Sequence, residues 1–338
     1  MRILPIGTDS AAFSFISFGE LTVTDDSMAP VIETLIQQER LPSSYEQTVR
    51  QTILPLAERI IALRQQLGRP VVVGIHGAQG TGKSTLTLFL KEILHRRYQC
   101  ASAGLSLDDL YLTRAERQTL ARTVHPLLQT RGVPGTHDVE LGLAILERLT
   151  TAGPDDVTTI PAFDKASDDR LAERDWPVFK GRAEVVLFEG WCVGALPEGA
   201  EALAHPVNRL EEEEDPHGAW RGYVNDCLKG PYRELFGKLD LLVMLQAPSM
   251  DCVREWRTLQ EHKLAERHRN APEKCGQSGD APSMRIMTDD EVIRFIMHYQ
   301  RVTEHCLREM PDRADVLVPV SADHSLGAPQ FRDAPGPD

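Results

Sequence analysis

The sequence predicts an α/β fold in which helices flank a central parallel β-sheet. From residue 71 onward, apolar runs rich in β-branched residues alternate with runs whose apolar positions recur at helical spacing, and this alternation is typical of a parallel sheet covered by helices. The first apolar run leads through a Gly-rich turn into a helical pattern. With 41% apolar residues in 338, the chain can build the core of one large domain or two modest ones.

The elements are assigned in chain order from these periodicities. Residues 1–27 are a weakly patterned leader, and two helical stretches, 28–40 and 45–67, precede the first strand. The predicted strands are 71–76, 102–107, 184–189, 240–246 and 315–320. The predicted helices after the first strand are 83–97, 138–151, 249–268 and 288–309.

We expect a single domain over residues 28–326. It contains an insertion at about 201–230 and a mobile loop at about 270–287, and a disordered tail follows at 327–338. The acidic run 211–215 lies in the insertion among Pro and Gly residues. A run of like charges in such a setting is most simply an exposed, solvated segment.

Composition and charge narrow the class of protein. The formal net charge of −13 argues against nucleic acid as a partner, because binding to a phosphate backbone needs clustered Lys and Arg. No apolar run is long enough to cross a membrane. The six cysteines form no C-x-x-C pair, which favours reduced thiols and a cytoplasmic location. The sequence does not determine the oligomeric state, and a monomer is plausible.

The turn after the first strand, Gly77–Ser84, fits the phosphate-loop (P-loop) pattern G-x-x-x-x-G-K-[ST]. In that pattern backbone N–H groups surround the nucleotide phosphates, the lysine reaches the β- and γ-phosphates, and the hydroxyl binds Mg²⁺. Lys83 and Ser84 occupy these last two positions. We therefore predict that ATP and Mg²⁺ bind here. The predicted nucleotide contacts are Gly77, Ala78, Gln79, Gly80, Thr81, Gly82, Lys83, Ser84 and Thr85.

P-loops occur in GTPases, motor-type ATPases and small-molecule kinases, so other sites must distinguish these classes. A GTPase should carry a guanine-reading N-K-x-D after a later strand. The nearest match here, Gly237–Asp240, begins with Gly and precedes its strand. In contrast, Glu189 lies at the carboxyl end of the strand 184–189, which in a parallel sheet faces the ligand crevice. We expect Glu189 and Ser84 to form the metal side of a phosphoryl-transfer site.

The strand 102–107 ends in Asp108 and Asp109. Phosphoryl transfer from ATP to an alcohol calls for a carboxylate that accepts the hydroxyl proton and holds the oxygen in line with the γ-phosphate. Asp108 is predicted to be that base. Adjacent side chains on an extended backbone point to opposite sides, so Asp109 is expected to cap a helix or hold the turn.

Two further polar clusters are candidates for substrate binding. In the first, 131–138, Thr136 or Asp138 is a natural helix N-cap, whereas Arg131 and His137 would suit a substrate carboxylate or hydroxyl. In the second, 161–165, Asp164 and Lys165 either bind substrate or simply form a surface pair. The predicted substrate-binding set is Asp108, Tyr111, Arg131, His137, Asp138, Asp164 and Lys165.

The helix after residue 249 carries Arg254 and Arg257. These are candidates for a basic lid that closes over the phosphates and excludes water. The alternative is an ordinary solvated helix face, since glutamates interleave with the basic residues. The predicted catalytic residues are Asp108, Lys83 and Arg257.

Several motifs occur in one order along the chain: 77–84, 106–111, 131–138, 161–165, 188–191 and 287–292. In this order they resemble the D-glycerate 3-kinase family, and the likeness spans about residues 40–320. That family belongs to the phosphoribulokinase, uridine kinase and pantothenate kinase group of P-loop kinases. The resemblance implies a three-layer P-loop kinase fold with a central parallel β-sheet, and Asp108 and Glu189 match the base and the metal-side acid of the group.

The resemblance also implies an ATP- and Mg²⁺-dependent kinase that acts on a small hydroxy acid. D-Glycerate, converted to 3-phosphoglycerate, is the acceptor that it indicates. One alternative keeps the chemistry and changes the acceptor to a nucleoside, pantothenate or a related polyol acid. Another is a nucleotide-binding regulator without turnover. The intact set of Lys83, Ser84, Asp108 and Glu189 argues against the regulator, because a protein that only binds ATP needs no base at residue 108.

Overall fold

The structure, a computed structural model, describes residues 28–270 and 287–332, without the side chains of residues 263, 264 and 267–270. The expected leader at 1–27 lies outside the described residues, as do residues 271–286 of the expected mobile loop and residues 333–338 of the expected tail.

A six-stranded sheet forms the centre of the molecule. The strands are β1 (Val71–Gly77), β2 (Ser102–Ser106), β3 (Val157–Thr159), β4 (Phe163–Asp164), β5 (Asp169–Arg170), β6 (Val178–Lys180), β7 (Val185–Gly190), β8 (Leu241–Gln246), β9 (Val316–Pro319) and β10 (Gln330–Phe331). The order in the main sheet is β10-β9-β8-β1-β7-β2, and only β10 runs antiparallel to its neighbour. All five predicted strands are in this sheet, so the α/β prediction is confirmed. Two small antiparallel ribbons, β3–β6 and β4–β5, lie outside it.

Helices flank the sheet. They are α1 (Ala29–Gln38), α2 (Tyr45–Thr48), α3 (Leu54–Leu67), α4 (Lys83–Tyr98), α5 (Arg114–Thr123), α6 (Val139–Thr151), α7 (Ala200–Leu203), α8 (Arg209–Glu214), α9 (Ala219–Lys229), α10 (Pro231–Phe236), α11 (Met250–Asn270) and α12 (Asp289–Glu309). A π-helical turn, Val49–Ile53, joins α2 to α3, so the predicted helix 45–67 is a continuous helical stretch. Helices α5 and α7 to α10 were not predicted. In the described part of the chain, no helix has the length and apolar character needed to span a bilayer.

Both faces of the sheet are covered by apolar side chains, as parallel sheets require. One layer includes Val71, Val73, Ile75, Leu187 and Val243 of the sheet with Ile53, Ile60, Leu86, Phe89 and Ile93. The other includes Val72, Leu105, Val186, Phe188 and Met244 with Ile145, Leu149, Trp220, Val224 and Val302. Successive residues of β1 alternate between the two layers, which gives the three-layer architecture that the resemblance implied.

The acidic run 211–215 differs from expectation, because its first and last carboxylates are buried. Glu211 is 0% exposed and Asp215 is 1% exposed. Arg301 of α12 donates to both carboxylate oxygens of Glu211, at 2.8 and 2.7 Å. Asp215 pairs with the buried Arg221 at 3.1 Å. The expectation of a fully solvated run is wrong, since a distant arginine, Arg301, and a nearby one, Arg221, make burial of these charges possible.

The chain after residue 326 also differs from the expected disordered tail. Gly327 donates its backbone N–H to Pro319 at 2.8 Å and accepts from the Thr52 hydroxyl at 3.0 Å. Gln330 and Phe331 then pair with β9 as the edge strand β10. Backbone hydrogen bonds therefore order residues 327–332 in spite of their breaker-rich composition.

Candidate active site

The predicted P-loop, Asp108 and Glu189 lie at the carboxyl ends of β1, β2 and β7. Strand β7 lies between the other two, so the chain leaves β1 through α4 and passes over β7 to reach β2. Ligands of open α/β sheets bind in the crevice at such carboxyl ends. In the register of the sheet Glu189 lies beside Ile75 on one side and Ser106 on the other, which places its carboxylate next to the P-loop.

The P-loop turns sharply between β1 and α4. Gly80 and Gly82 both have φ of +84°, a conformation that glycine adopts without steric cost. The Thr81 hydroxyl donates to the Ala78 carbonyl at 2.8 Å and holds the turn. Among the described residues, no side chain caps the N-terminus of α4. Its first N–H groups are therefore available to an anion, and the helix dipole favours negative charge there.

Two residues that the sequence analysis did not select lie against this loop. Trp256 of α11 packs on Gly80, where an added Cβ would lie 2.6 Å from the Trp256 Cβ. The Trp256 indole N–H donates to the Ala322 carbonyl at 3.0 Å. The His324 Nδ1 lies 3.0 Å from the Gly80 carbonyl oxygen. The P-loop is thus held from outside by α11 and by the segment after β9.

A carboxylate and two hydroxyls meet beside the loop. Glu189 Oε1 accepts from Ser84 Oγ at 3.2 Å and from Ser106 Oγ at 2.9 Å. The other oxygen, Oε2, is buried and has no hydrogen-bond partner among the described residues. An unpaired buried oxygen of this kind costs free energy, which a hydrated Mg²⁺ would offset. The residues present therefore fit the predicted metal site.

Protein side chains alone would not complete the coordination of that ion. Within residues 28–270 and 287–332, no group of three or more His, Cys, Asp or Glu could hold a metal. Mg²⁺ commonly keeps several waters and takes its other ligands from one or two protein groups and substrate phosphates. A site of this composition is suited to a metal that arrives with a nucleotide.

Asp108 lies on a 3₁₀ turn, Leu107–Leu110, directly after β2. Its carboxylate accepts from the Tyr111 hydroxyl at 2.8 Å and from Lys165 Nζ at 2.7 Å. Burial opposes ionisation, but the charges of Lys165 and Lys83 and the two hydrogen bonds outweigh it and hold the pKa of Asp108 well below its usual range. Asp108 is therefore a charged group between two cations.

The neighbouring carboxylate points elsewhere, as the sequence predicted. Asp109 Oδ1 accepts from the backbone N–H of Phe163 at 3.1 Å and so joins the 3₁₀ turn to β4. Burial raises the pKa of Asp109 to about 6 against the effect of that hydrogen bond. Asp109 thus anchors the β4–β5 ribbon, next to Lys165. This agrees with the expectation that Asp109 holds the turn.

An aromatic stack adjoins Asp108. The ring of His137 lies 4.7 Å from that of Tyr111, centroid to centroid, and its Nδ1 is 2.5 Å from the Tyr232 hydroxyl. His137 is only 4% exposed, and its Nε2 has no partner among the described residues. Burial lowers the pKa of His137 to about 3, so the imidazole is neutral at physiological pH.

Arg131 belongs to a compact basic cluster at the β4–β5 ribbon. It pairs with Asp168, which also pairs with Arg117 at 3.0 Å. The guanidinium groups of Arg131 and Arg117 lie 5.5 and 5.8 Å from the centre of the Phe163 ring. Asp168 adopts a positive φ of 56°. This shared carboxylate was missed because nothing in its local sequence distinguishes it from other loop acids.

The other predicted substrate contacts make local structural bonds. Asp138 caps α6 by accepting from the Leu141 N–H at 3.0 Å, and its second oxygen pairs with Arg170 at 3.2 Å. The Asp164 carboxylate accepts from two backbone N–H groups within its own turn, at 3.0 and 3.1 Å. Their contact with substrate remains a prediction.

The lid candidates are engaged with neighbours on α11. Arg257 pairs with the buried Glu261 at 2.7 Å, and its guanidinium lies 5.5 Å from the centre of the Phe295 ring. Arg254 pairs with the exposed Asp251 at 3.0 Å. A role for either arginine over the phosphates also remains a prediction.

The amino-acid sequence of this chain is similar to those of known kinases. The uncharacterized kinase mug58 of Schizosaccharomyces pombe is 36% identical over 239 residues, which are 69% of this chain and 79% of that protein. The chloroplastic D-glycerate 3-kinase of Arabidopsis thaliana is 30% identical over 238 residues, and the match spans 46% of that protein's length. No family model matches the chain.

Solved structures agree on the fold. A D-glycerate 3-kinase from Cryptococcus neoformans superposes with a TM-score of 0.66 at 23% identity, and the superposition covers 83% of this chain and 99% of that one. The fold, the ordered motifs and the 36% identity with a kinase over most of its length lead to one conclusion. The chain belongs to the D-glycerate 3-kinase family of P-loop kinases and is a phosphotransferase.

Proposed function

We propose that the protein transfers the γ-phosphoryl group of ATP to a hydroxyl of D-glycerate and forms 3-phosphoglycerate. The observation that carries this proposal is the placement of Asp108. This carboxylate lies beside the P-loop, within reach of the charge of Lys83 and in direct contact with Lys165. A carboxylate flanked by cations beside a P-loop is suited to bring an anionic alcohol to a phosphoryl donor.

On the donor side, the backbone of residues 77–85 binds the ATP phosphates, and Lys83 contacts the group in transfer. Ser84 and Oε2 of Glu189 would hold Mg²⁺. When bound, the ion neutralises charge on the phosphates. Ser106 shares Glu189 Oε1 with Ser84 and so keeps the carboxylate turned towards the loop.

On the acceptor side, Asp108 orients the substrate hydroxyl and accepts its proton. A pKa well below the usual range makes Asp108 a weak base. Weak basicity suffices, because phosphoryl transfer passes through a loose transition state in which little charge accumulates on the attacking oxygen. Tyr111 and Lys165 hold the two carboxylate oxygens in place, so orientation contributes more than base strength.

Two cations near Asp108 favour an acceptor that carries a carboxylate. Lys165, 60% exposed at its side chain, follows β4 and pairs with Asp108, and Arg131 lies against the same ribbon through its pair with Asp168. Cations of this kind suit a carboxylate of a small hydroxy acid. The Arabidopsis relative, named a D-glycerate 3-kinase, supports this acceptor over a nucleoside. To contact the phosphates, the guanidinium of Arg257 would have to leave Glu261, which lies one turn further along the same helix. We place the protein in the cytoplasm, since the described cysteines are free thiols.

The test is an acceptor panel. Purified protein is incubated with ATP and Mg²⁺ and with D-glycerate, uridine, pantothenate or ribulose 5-phosphate, and ADP and phosphorylated product are followed. We expect product with D-glycerate. Product with a different acceptor alone would contradict the substrate proposed, whereas ATP binding without any product would favour a regulator.

A further inference from the structure

Tyr232 and His137 form a buried hydrogen-bonded pair next to the acceptor side of the site. Tyr232, on α10, is 1% exposed, and its hydroxyl oxygen lies 2.5 Å from His137 Nδ1. The same oxygen accepts from the backbone N–H of Gly135 at 3.0 Å. The pair therefore links α10 to the polar cluster before α6.

The contacts of the Tyr232 hydroxyl determine which imidazole nitrogen carries the proton. If Tyr232 donates to Nδ1, the hydroxyl proton is satisfied and His137 is protonated on Nε2. If Nδ1–H donates instead, the Tyr232 proton has no acceptor among the hydrogen bonds of the described residues, and Nε2 also stays unpaired. Because each buried unpaired polar group costs free energy, the first arrangement is favoured.

This arrangement leaves one buried N–H donor near the reacting groups. His137 Nε2 has no partner in the described part of the chain. The imidazole is stacked on Tyr111, whose hydroxyl binds Asp108, and the charge of Asp108 acts on the ring. A polar side chain that is 4% exposed and lacks a partner calls for a ligand.

We propose that Tyr232 is a positioning residue that keeps the proton of His137 on Nε2, from where the imidazole donates a hydrogen bond to the carboxylate or hydroxyl of the hydroxy acid bound at Asp108. The inference rests on the proposed function, because it needs an acceptor at Asp108. It assigns to Tyr232, 95 residues away from His137 along the chain, a part in acceptor recognition through a fixed tautomer.

The first test is Tyr232→Phe, which removes the hydroxyl and keeps the ring. ¹⁵N NMR of the imidazole should show the Nε2–H tautomer in the wild type and a shift towards Nδ1–H in the variant. The KM for D-glycerate should rise about tenfold, as for loss of one hydrogen bond to a charged group. The KM for ATP should be unchanged.

A matched control is Tyr223→Phe. Tyr223 lies against the same glycine, since its ring is 2.5 Å from a Cβ added at Gly135, but it is not bonded to His137. Both the tautomer and the two KM values should remain those of the wild type.

The second test is a double-mutant cycle with His137→Ala. If Tyr232 acts through His137, Tyr232→Phe should raise the KM for the acceptor no further in that background. Should the alanine variant not fold, His137→Gln is used, because its amide N–H can replace Nε2–H; that variant should retain most of the wild-type affinity for the acceptor.

Three results would overturn the inference: an Nδ1–H tautomer in the wild type, an unchanged acceptor KM in Tyr232→Phe despite a shifted tautomer, or an equal rise in KM in the His137→Ala background. If the panel identifies an acceptor other than D-glycerate, the same KM comparison is made with that acceptor, so failure of the substrate proposal is distinguished from failure of this one. If no acceptor reacts, both fail.

Discussion

At the scale of single residues, neighbouring charges and burial set the pKa values of the two adjacent carboxylates of the site. Asp108 is ionised because Lys165 and Lys83 outweigh its burial, whereas burial raises the pKa of the adjacent Asp109 to about 6. Two carboxylates that follow each other in the sequence thus have opposite electrostatic environments. The difference comes from direction, since one faces the P-loop and the other faces the backbone of Phe163.

Asp108→Asn tests the part that this charge plays in turnover. We expect kcat to fall by about two orders of magnitude or more, as for loss of a general base, while ATP affinity stays close to the wild-type value. The measurements are steady-state kinetics and ATP titration calorimetry. Asp109→Asn is the control, because its amide oxygen can still accept from Phe163, and its kcat should change far less. Near-normal turnover of Asp108→Asn would remove Asp108 from the mechanism.

Lys165→Met tests the electrostatic cause of the low pKa. In the proposed mechanism the carboxylate of Asp108 is the active form. Lys165 holds the pKa of Asp108 down, so removal of the cation must raise that pKa. We expect the acid limb of the profile of kcat/KM against pH to move to higher pH. Lys165→Arg keeps the charge and should leave the limb in place. An acid limb of Lys165→Met that coincides with that of the wild type would contradict this account.

At the scale of elements, buried ion pairs attach the insertion to the rest of the molecule. Arg301 of α12 is 6% exposed at its side chain and bonds Glu211 of α8, which is 0% exposed, and Glu198 before α7. Burying such charges is costly, and the cost is offset only while every partner is present. The segment before β8 is consequently packed on α12 through its acidic residues.

Glu211→Gln should therefore destabilise the protein strongly. Breaking a buried pair from one side typically costs about 3–5 kcal/mol, because the guanidinium of Arg301 loses a charged partner. The free energy of unfolding is measured by urea titration. Glu212→Gln, on the exposed side of the same acidic run, should change it by no more than about 0.5 kcal/mol. Equal effects of the two substitutions would show that the buried pair is unimportant.

At the scale of the whole molecule, both apolar layers rest on one sheet. Strand β1 carries the P-loop at its carboxyl end and contributes side chains to each layer. Neither layer can lose its packing without exposing the other side of the same strands. We therefore propose that residues 28–326 unfold as one domain.

Calorimetry should accordingly show a single unfolding transition. ATP with Mg²⁺ at about 100 times its Kd should stabilise the protein by about 2.7 kcal/mol and shift the whole transition to higher temperature. Lys83→Met, which weakens phosphate binding, should reduce that shift. Two transitions, of which only one responds to ATP, would contradict the single-domain proposal.

Much of the fold was predictable because its signals are local. The five predicted strands follow from periodicity within a short stretch of chain, and so do helices α1 to α4, α6, α11 and α12. Helices α7, α8 and α10 have only 4, 6 and 6 residues, too few to show a helical period, so they were missed. Helices α5 and α9 were missed although they are longer and amphipathic. The ordering of residues 327–332 depends on hydrogen bonds to β9 and Thr52, which no local pattern indicates.

The sequence by itself determined where the P-loop lies and which two strands end in the carboxylates of the candidate site. The P-loop is recognised from eight contiguous residues, Gly77–Ser84, and the carboxyl ends of parallel strands bring Asp108 and Glu189 to the same edge of the sheet. Only the tertiary structure decided which side chains hydrogen-bond to the polar residues of the site and of the core. Ser106 on Glu189, Tyr232 on His137 and Arg301 on Glu211 join side chains 83 to 95 residues apart. Such contacts depend on strand order and helix packing, because a side chain's partner is determined by proximity in space and not along the chain.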